Sequence, residues 1–253
     1  MEQQQEQQQV LRVLAFSKTS GYRHESIPAG VAGLRRLAAT SSSSDSPFTV
    51  DATEDAAVFT PPSLARYAAI VLLQTSGDFL DGDQLGALKA FVHGGGGIVA
   101  IHCASTGMPS SEWYGRLIGA VFTEHPEPQP GLVVAEDPEH IILSNGTGLK
   151  ALRGPDARGG GTDAGLSQWA WYDEWYNFKE NPRVANGVHV LLRVSESSYR
   201  GGTLGEDHPV AWCQEFEGSR SFHTALGHFD EAWGDDTFTG QILNAIWWVA
   251  RVL

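Results

Sequence analysis

The chain has 253 residues, of which 42% are hydrophobic and 19% are charged, which is enough for a globular domain with a substantial core. Thirty acidic residues against seventeen basic ones give a formal net charge of −13. This charge repels the phosphates of nucleic acids and anionic membrane surfaces, so neither is expected as a partner, and small neutral or cationic ligands are favoured.

The chain contains no apolar stretch that approaches the roughly 18 residues needed to span a bilayer. Its first nine residues, MEQQQEQQQ, lack the basic and then apolar layout of a signal peptide, and they are expected to form a disordered Gln-rich arm. The two cysteines, Cys103 and Cys213, are too few for a disulfide framework. A cytoplasmic protein with one domain over residues 10–253 is therefore expected.

The first half of the chain alternates between apolar runs and segments with helical periodicity. The buried strands are expected at residues 10–17, 48–55, 67–77 and 97–102. Helices are expected at residues 27–39 and 81–93, the second opened by a capping pair, Asp81 and Gln84. Strands and helices that alternate with short connections predict a parallel sheet covered by helices on both faces.

Ligands of such sheets bind beyond the carboxyl ends of the strands. Residues 18–26, 74–80 and 102–112 each follow one of the predicted strands. We therefore expect these three loops to converge on one edge of the sheet.

The second half of the chain has a different pattern, typical of antiparallel strands. The predicted strands are GLVVAED, WAWYDEWYNF, VHVLLRVSESSY and HPVAWCQEFEGSRSFHTALG, the last of them folded at EGS. Residues 153–167 are so rich in Gly and Asp that we expect a long, mobile loop. The last segment, DDTFTGQILNAIWWVARVL, is predicted to form a helix with an apolar face that includes Phe238, Ile242 and Val249.

The segment GGGGIVAIHCAST places His102 and Cys103 at the end of a predicted strand, as in a nucleophile elbow. Cys103 could be an activated thiolate, or a small buried side chain with no chemical role. His102 could be a base or a metal ligand, or could form a structural hydrogen bond. His24, His125 and His228 also lie at the ends of predicted elements, where the edge of the sheet could collect them.

The segment WAWYDEWYNF contains two adjacent carboxylates, Asp173 and Glu174, among aromatic residues. Neighbours on a strand point to opposite faces, so one carboxylate of the pair is expected to enter a site. Aromatic rings beside carboxylates are typical of sugar-binding surfaces, and equally of an aromatic core layer between antiparallel strands.

Taken together, several motifs resemble the ThuA-like family, named for a trehalose-utilisation protein. They are GYRHESIPAG, TSGDFLDGDQ, GGGGIVAIHCAST, WYGRLIGAVFTEHPEPQ, YDEWYNF, HPVAWCQEF and GSRSFHTALGHFDEAW, and they extend over nearly the whole chain from about residue 10. The resemblance implies a flavodoxin-like sheet similar to that of class I glutamine amidotransferases, with additional antiparallel strands in the C-terminal half. It also implies a role in the metabolism of trehalose and related disaccharides.

The resemblance places histidine at the elbow where amidotransferases carry cysteine, so His102 takes that position and Cys103 follows one residue late. It implies catalytic roles for His102, His125, His228 and Glu174. The substrate-binding residues that it implies are His24, Asp173, Tyr176, Asn177, Trp113 and Tyr114. At His223 the family usually has an aromatic residue such as tyrosine.

The leading hypothesis is an enzyme that hydrolyses or isomerises a disaccharide or keto-glycoside. Histidines would act as acid and base, or His102, His125 and His228 would bind a divalent metal, with zinc the first choice. The alternatives are a sugar-binding module without catalysis and an amidotransferase-like hydrolase that uses Cys103. The oligomeric state is open, and a homo-oligomer is compatible with the sequence.

Overall fold

The computed structural model describes residues 10–41, 46–147, 166–185 and 187–253. Within these ranges there are eleven strands, numbered in chain order: β1 Leu11–Phe16, β2 Phe48–Thr53, β3 Ala69–Leu73, β4 Gly97–Ile101, β5 Phe122–Glu124, β6 Gln129–Ala135, β7 Gln168–Asp173, β8 Asn177–Phe178, β9 Val188–Ser195, β10 Pro209–Phe216 and β11 Ser219–Thr224. The α-helices in the same ranges are α1 Ile27–Thr40, α2 Pro61–Leu64, α3 Gly82–His93, α4 Glu112–Ile118, α5 Ile141–Ser144 and α6 Asp236–Val249.

Nine of the strands form one mixed sheet in the order β2-β1-β3-β4-β11-β10-β9-β6-β7. The pairs β1–β2, β1–β3, β3–β4 and β4–β11 are parallel, whereas β11–β10, β10–β9, β9–β6 and β6–β7 are antiparallel. Strands β5 and β8 form a separate antiparallel pair. The structure therefore has the expected parallel sheet with antiparallel strands added in the C-terminal half.

The directions of these pairings determine which loops share an edge. Strand β11 runs parallel to β4, and the next four pairings are all antiparallel, so that the strand direction reverses at each step. Strands β11 and β7 therefore both point the same way as β1, β3 and β4. The carboxyl ends of all five strands therefore lie at one edge of the sheet. The loops after β1, β3 and β4 contact one another there through the bridges Thr19–Ser76 and Gly77–Gly107.

Two apolar cores cover the two faces of the parallel half. Helices α1 and α6 pack on one face, where Leu34 and Ile246 contact a cluster that includes Val71 and Val99. Helices α3 and α4 pack on the opposite face, where Leu88 and Leu117 join a cluster that includes Ile70 and Ile98. Adjacent residues of the strands thus serve opposite cores, as the alternation of side chains along a strand requires.

Several local predictions from the sequence are confirmed. The Asp81 side chain accepts from Gln84 N, and the Gln84 side chain accepts from Asp81 N, which completes the capping box of α3. The apolar face of α6 is buried at Phe238, Ile242 and Val249.

One boundary differs from the expectation. The segment WAWYDEWYNF forms two strands, β7 and β8, and the chain leaves the strand conformation over residues 174–176. The reason is that Asp173 uses its carboxylate to bind backbone N–H groups, including Glu174 N, and thereby ends the ladder.

Two further expectations cannot be compared with the structure. The Gln-rich arm of residues 1–9 and nearly all of the predicted loop 153–167 lie outside the described residues. Within the described ranges, no helix combines the length and the apolar character that a membrane crossing requires.

His223, on β11, is a histidine buried in the core. Its ring packs against Trp212 with centroids 4.6 Å apart, and within the described residues neither ring nitrogen has a well-formed hydrogen bond. Burial is the main cause that lowers the pKa of His223 to about 3, and the electrostatic interaction with His102 acts in the same direction. In the unfolded chain the imidazole has its ordinary pKa of about 6.5. Between this pH and about pH 3, His223 is therefore protonated in the unfolded chain and neutral in the folded protein.

This difference predicts that His223 contributes to acid lability. Between pH 6.5 and 3 the unfolded chain binds one more proton at His223 than the folded protein does, so stability falls as pH falls through this window. The free energy of unfolding of the wild type should drop by about 2 kcal/mol more between pH 7 and pH 5 than that of His223→Leu. Urea denaturation at the two pH values measures this difference.

The matched control is His189→Leu, whose side chain is half-exposed. This substitution should leave the acid sensitivity close to that of the wild type. Equal loss of stability in the wild type and His223→Leu would contradict the assignment.

Candidate functional site

The end of β4 is bent sharply at His102. The residue has a φ of 53°, in the left-handed region, and the chain continues as a 3-10 helix over His102–Thr106. A non-glycine residue in this region costs on the order of 1–3 kcal/mol, and it persists only where the surroundings hold it. The bend turns the side chain of His102 into a fully buried space at the carboxyl edge of the sheet.

One hydrogen bond fixes the chemical state of this imidazole. His102 Nδ1 lies 2.6 Å from the carbonyl oxygen of Ala225, which can only accept, so Nδ1 donates and carries the proton. In the neutral ring Nε2 is then left with its lone pair facing the centre of the site. A histidine held in this way by a backbone carbonyl is typical of metal ligands and of general bases.

Three further side chains converge on His102 Nε2. His24 Nε2 lies 3.1 Å away, His228 Nδ1 lies 3.3 Å away, and Glu174 Oε2 also lies 3.3 Å away. Glu174 Oε2 is 3.1 Å from His228 Nδ1 and 4.0 Å from His24 Nε2. These four atoms all lie within 4.8 Å of one another, and we call their residues the His/Glu group.

The spacing within the His/Glu group fits a metal ion. For metal–ligand bonds of about 2.0–2.1 Å, tetrahedral ligand atoms are about 3.3 Å apart. Most of the separations given above are between 3.1 and 3.3 Å. Imidazole nitrogen and carboxylate oxygen are also common ligands of divalent transition metals. The group could therefore hold a metal ion.

The electrostatics of the group favour the forms that bind cations. Burial opposes the charge of Glu174, but its interactions with the imidazoles of His102, His228 and His24 outweigh burial, and they hold the pKa of the carboxyl well below its usual range. Burial lowers the pKa of His24 to about 4, so this ring is neutral at pH 7. Metal binding requires an ionised carboxylate and neutral imidazoles, and Glu174 and His24 meet these requirements.

Asp173 connects the elements that carry Glu174 and His228. Its Oδ1 accepts from Glu174 N at 2.9 Å and from His228 N at 3.2 Å, and its Oδ2 accepts from Gly227 N and from Trp171 Nε1, each at 2.8 Å. Burial raises the pKa of the Asp173 carboxyl. Because its carboxylate is bound to these four donors, Asp173 stabilises the positions of Glu174 and His228 and does not face a substrate.

Tyr176 and His125 lie beside the His/Glu group without belonging to it. The Tyr176 hydroxyl lies 2.9 Å from His102 Nε2, and burial raises its pKa well above the ordinary value, so it keeps its proton. His125 Nδ1 donates to Pro126 O, and its Nε2 lies 3.5 Å from Glu174 Oε1. The side chain of His125 is one-third exposed, which places this nitrogen at the solvent side of the site.

The remaining residues implied by the resemblance are positioned elsewhere. Asn177 bonds Gly201 O and Thr203 N, and so holds a loop. Helix α4 carries Trp113 toward the β10–β11 turn, where its indole donates to Glu217. Tyr114, on the same helix, is buried and donates to Ala104 O. Tyr114 thus supports the 3-10 helix that follows β4, and among the described residues neither Trp113 nor Tyr114 forms a hydrogen bond with the His/Glu group.

Sequence reasoning missed Gln74 and Ser26. Gln74 directly follows β3 and has a φ of 51°, in the left-handed region. Its Nε2 donates to Ser26 Oγ and to Gly227 O, each at 2.9 Å. Ser26 Oγ donates to His228 O at 2.5 Å. These contacts join the loops of His24 and His228. The signal that could have found Gln74 is its place as the first polar residue after a buried apolar run.

A cavity beside α4 lies apart from the His/Glu group. It has a volume of about 820 Å³ and runs along α4, with Met108, Val121 and Phe122 among its walls. Phe122 also packs against Tyr176, with ring centroids 4.4 Å apart. The walls of the cavity include Ser105 and Thr106 of the 3-10 helix that begins at His102, but no member of the His/Glu group, so we do not assign the chemistry to the cavity.

Cys103 is buried behind His24. Its Sγ lies 3.2 Å from His24 Nδ1, and 2% of its surface is exposed. Burial raises the pKa of the thiol far above its ordinary value, which disfavours the thiolate that a nucleophile requires. The geometry therefore favours a packing role for Cys103 over a nucleophilic one.

This assignment predicts that the native protein resists thiol alkylation. Iodoacetamide at pH 7.5 should leave Cys103 unmodified for hours in the folded protein and should modify it within minutes in urea. Peptide mass spectrometry reports the site of modification. Cys213, also buried and with a pKa raised by burial to about 12, is the internal control. Selective modification of native Cys103 would support the thiol mechanism instead.

The comparisons with known proteins agree with this fold. The family model described as ThuA, trehalose utilisation, matches residues 12–152 and 157–249. A ThuA-like protein from Bacteroides uniformis superposes with a TM-score of 0.72 at 24% identity, over 94% of this chain and 91% of that one. One from Parabacteroides merdae gives 0.68 at 16% identity, over 96% and 90%.

A cytoplasmic protein from Salmonella typhimurium superposes with a TM-score of 0.54 at 12% identity, over 94% of this chain and 99% of that one. No curated protein matches the sequence significantly. The three structures are similar to this chain in fold, and the family model covers most of its length. The chain belongs to the ThuA family.

Proposed function

We propose that this protein is a metal-dependent enzyme that acts on a neutral disaccharide or keto-glycoside. The observation that carries the proposal is the convergence of four ligand atoms, from His24, His102, Glu174 and His228, at the carboxyl edge of the sheet. The family description, trehalose utilisation, supports a sugar as the substrate class. The proposed ligand set replaces His125 of the sequence hypothesis with His24 and Glu174.

Zinc is the proposed metal, because three imidazoles and one carboxylate are among its usual ligands. When bound, such an ion would polarise a carbonyl or hydroxyl oxygen of the sugar and stabilise negative charge on it. His102 would present Nε2 to the ion, since its Nδ1 proton is committed to Ala225 O. Asp173 would hold Glu174 and His228 in register through their backbone N–H groups.

His125 is the proposed general base. Its Nε2 is at the solvent side of the group, and its Nδ1 proton is committed to Pro126 O, so Nε2 is free to accept a proton. A keto group in the sugar acidifies the neighbouring C–H, and the removal of that proton by His125 would begin either an isomerisation or a hydrolysis. Tyr176, which keeps its proton, would donate a hydrogen bond to the oxygen on which charge develops.

A cytoplasmic location is also proposed. The structural relative from Salmonella typhimurium is described as cytoplasmic, and both cysteines are free in this structure.

Substitution of the ligands tests the proposal. His102→Ala and Glu174→Gln should each lower the metal content of the purified protein at least tenfold and abolish turnover of 3-keto disaccharides, because the site loses a ligand or its charge. Elemental analysis measures the metal, and chromatography of the sugars measures turnover.

His189→Ala, a change at a half-exposed histidine, is the matched control and should behave as the wild type does. Circular dichroism establishes that each variant is folded. A folded His102→Ala protein with unchanged turnover would contradict the proposal. Metal bound in the wild type together with sugar-dependent stabilisation but no product would assign a sugar-binding module instead.

A further inference from the structure

Five rings contact one another in succession across the mouth of the site. Tyr22 packs on His24 with centroids 4.9 Å apart, and His24 packs on His228 at the same distance. His228 contacts Phe229 at 4.3 Å, and Phe229 contacts Tyr172 at 5.3 Å. We call this series the aromatic row. Two of its inner members, His24 and His228, belong to the His/Glu group, the third is Phe229, and its two outer members are tyrosines.

The two outer tyrosines are unusually exposed for their size. Tyr22 is 70% exposed and Tyr172 is 54% exposed, and among the described residues these are the aromatic side chains in the exposed apolar set. By contrast, Trp175 and Tyr176 of the same segment as Tyr172 are buried. Solvent-exposed aromatic rings concentrated beside a cluster of buried polar groups are characteristic of a ligand surface.

Both tyrosines are held in place before any ligand binds. The Tyr172 hydroxyl donates to Pro128 O at 3.0 Å, and its ring is supported by Phe229. The carbonyl of Tyr22 accepts from Ser76 Oγ at 2.6 Å. The next residue, Arg23, binds Glu54 through both terminal nitrogens, at 3.0 and 2.7 Å. The binding of a ligand to these rings would therefore require little further ordering of the protein, and its entropy cost would be small.

From the aromatic row we infer that Tyr22 and Tyr172 are stacking platforms for two sugar rings, one on each side of the His/Glu group. This inference rests on the proposed function and specifies its substrate class: a neutral glycoside of at least two rings, whose linkage region lies over His24 and His228. The apolar C–H face of a pyranose packs on an aromatic ring as an apolar side chain does. Arg23, the cation next to Tyr22, is already bound to Glu54, and this favours a neutral sugar over a sugar phosphate.

Binding measurements on tyrosine variants test the inference. Isothermal titration calorimetry with trehalose, a 3-keto disaccharide and glucose should show that Tyr22→Ala and Tyr172→Ala each weaken disaccharide binding about tenfold. Tyr22→Phe and Tyr172→Phe keep the ring and should bind within about threefold of the wild type. Val184→Ala, at an exposed apolar side chain on the wall of the cavity along α4, is the matched control.

Two further measurements separate stacking from other effects. The metal content of both Ala variants should equal that of the wild type, since neither tyrosine belongs to the His/Glu group, and circular dichroism should show both variants folded. The double Ala variant should lose the preference of the wild type for disaccharides over glucose, because each platform would serve one ring.

The outcomes distinguish this inference from the proposed function. Disaccharide binding that depends on both tyrosines, without turnover of any sugar, would support the platforms and contradict the enzyme. Turnover that depends on His102 but not on Tyr22 or Tyr172 would support the enzyme and overturn the platforms. Unchanged disaccharide affinity in both Ala variants, or no saccharide binding by the wild type, would also overturn the inference.

Discussion

The hydrogen bond from His102 Nδ1 to the carbonyl of Ala225 is the constraint on which the site depends. It fixes the proton on one nitrogen and leaves the lone pair of Nε2 facing His24, Glu174 and His228. The bond also ties the end of β4 to the chain just beyond β11, its parallel neighbour. This bond and the packing of the surrounding core stabilise the left-handed backbone conformation of His102.

Asp173 makes the second essential connection, between distant parts of the sheet. Three strands separate β7 from β11 in the sheet order, yet the Asp173 carboxylate binds the backbone of Gly227 and His228. The sheet must therefore curve until the carboxyl end of β7 meets that of β11. The same carboxylate ends β7 and thereby directs Glu174 toward the imidazoles. One buried acid thus determines both the break in the strand and the place of the proposed metal ligand.

The sequence predicted most of the parallel half, because hydrophobic runs, helical periodicity and a capping box are local signals. It also drew attention to His24, His102, Glu174 and His228, since each follows a recognisable apolar or aromatic run. It could not predict how β11 would pair. An antiparallel hairpin is visible in HPVAWCQEFEGSRSFHTALG, but its parallel pairing with β4 depends on residues more than a hundred positions apart.

That non-local pairing also explains which site assignments could not be made in advance. Whether His125 or His24 completes the group depends on distances across the edge of the sheet, and both residues look alike in the sequence. The sequence predicted a helix that carries Trp113 and Tyr114, but it could not show that Trp113 bonds to the β10–β11 turn and Tyr114 to the 3-10 helix after His102. Gln74 and Ser26 carry no distinctive local pattern, and their role arises only from the meeting of three loops.

The origin of the ligands explains why this chemistry requires the whole fold. His24 and His102 follow β1 and β4 of the parallel half, whereas Glu174 and His228 follow β7 and β11, which the antiparallel half positions. Neither half alone contains more than two members of the His/Glu group. Because the direction of β11 aligns both halves at one edge, the additional strands are part of the site rather than a decoration of a flavodoxin-like sheet. The mixed sheet is therefore the structural basis of the proposed activity.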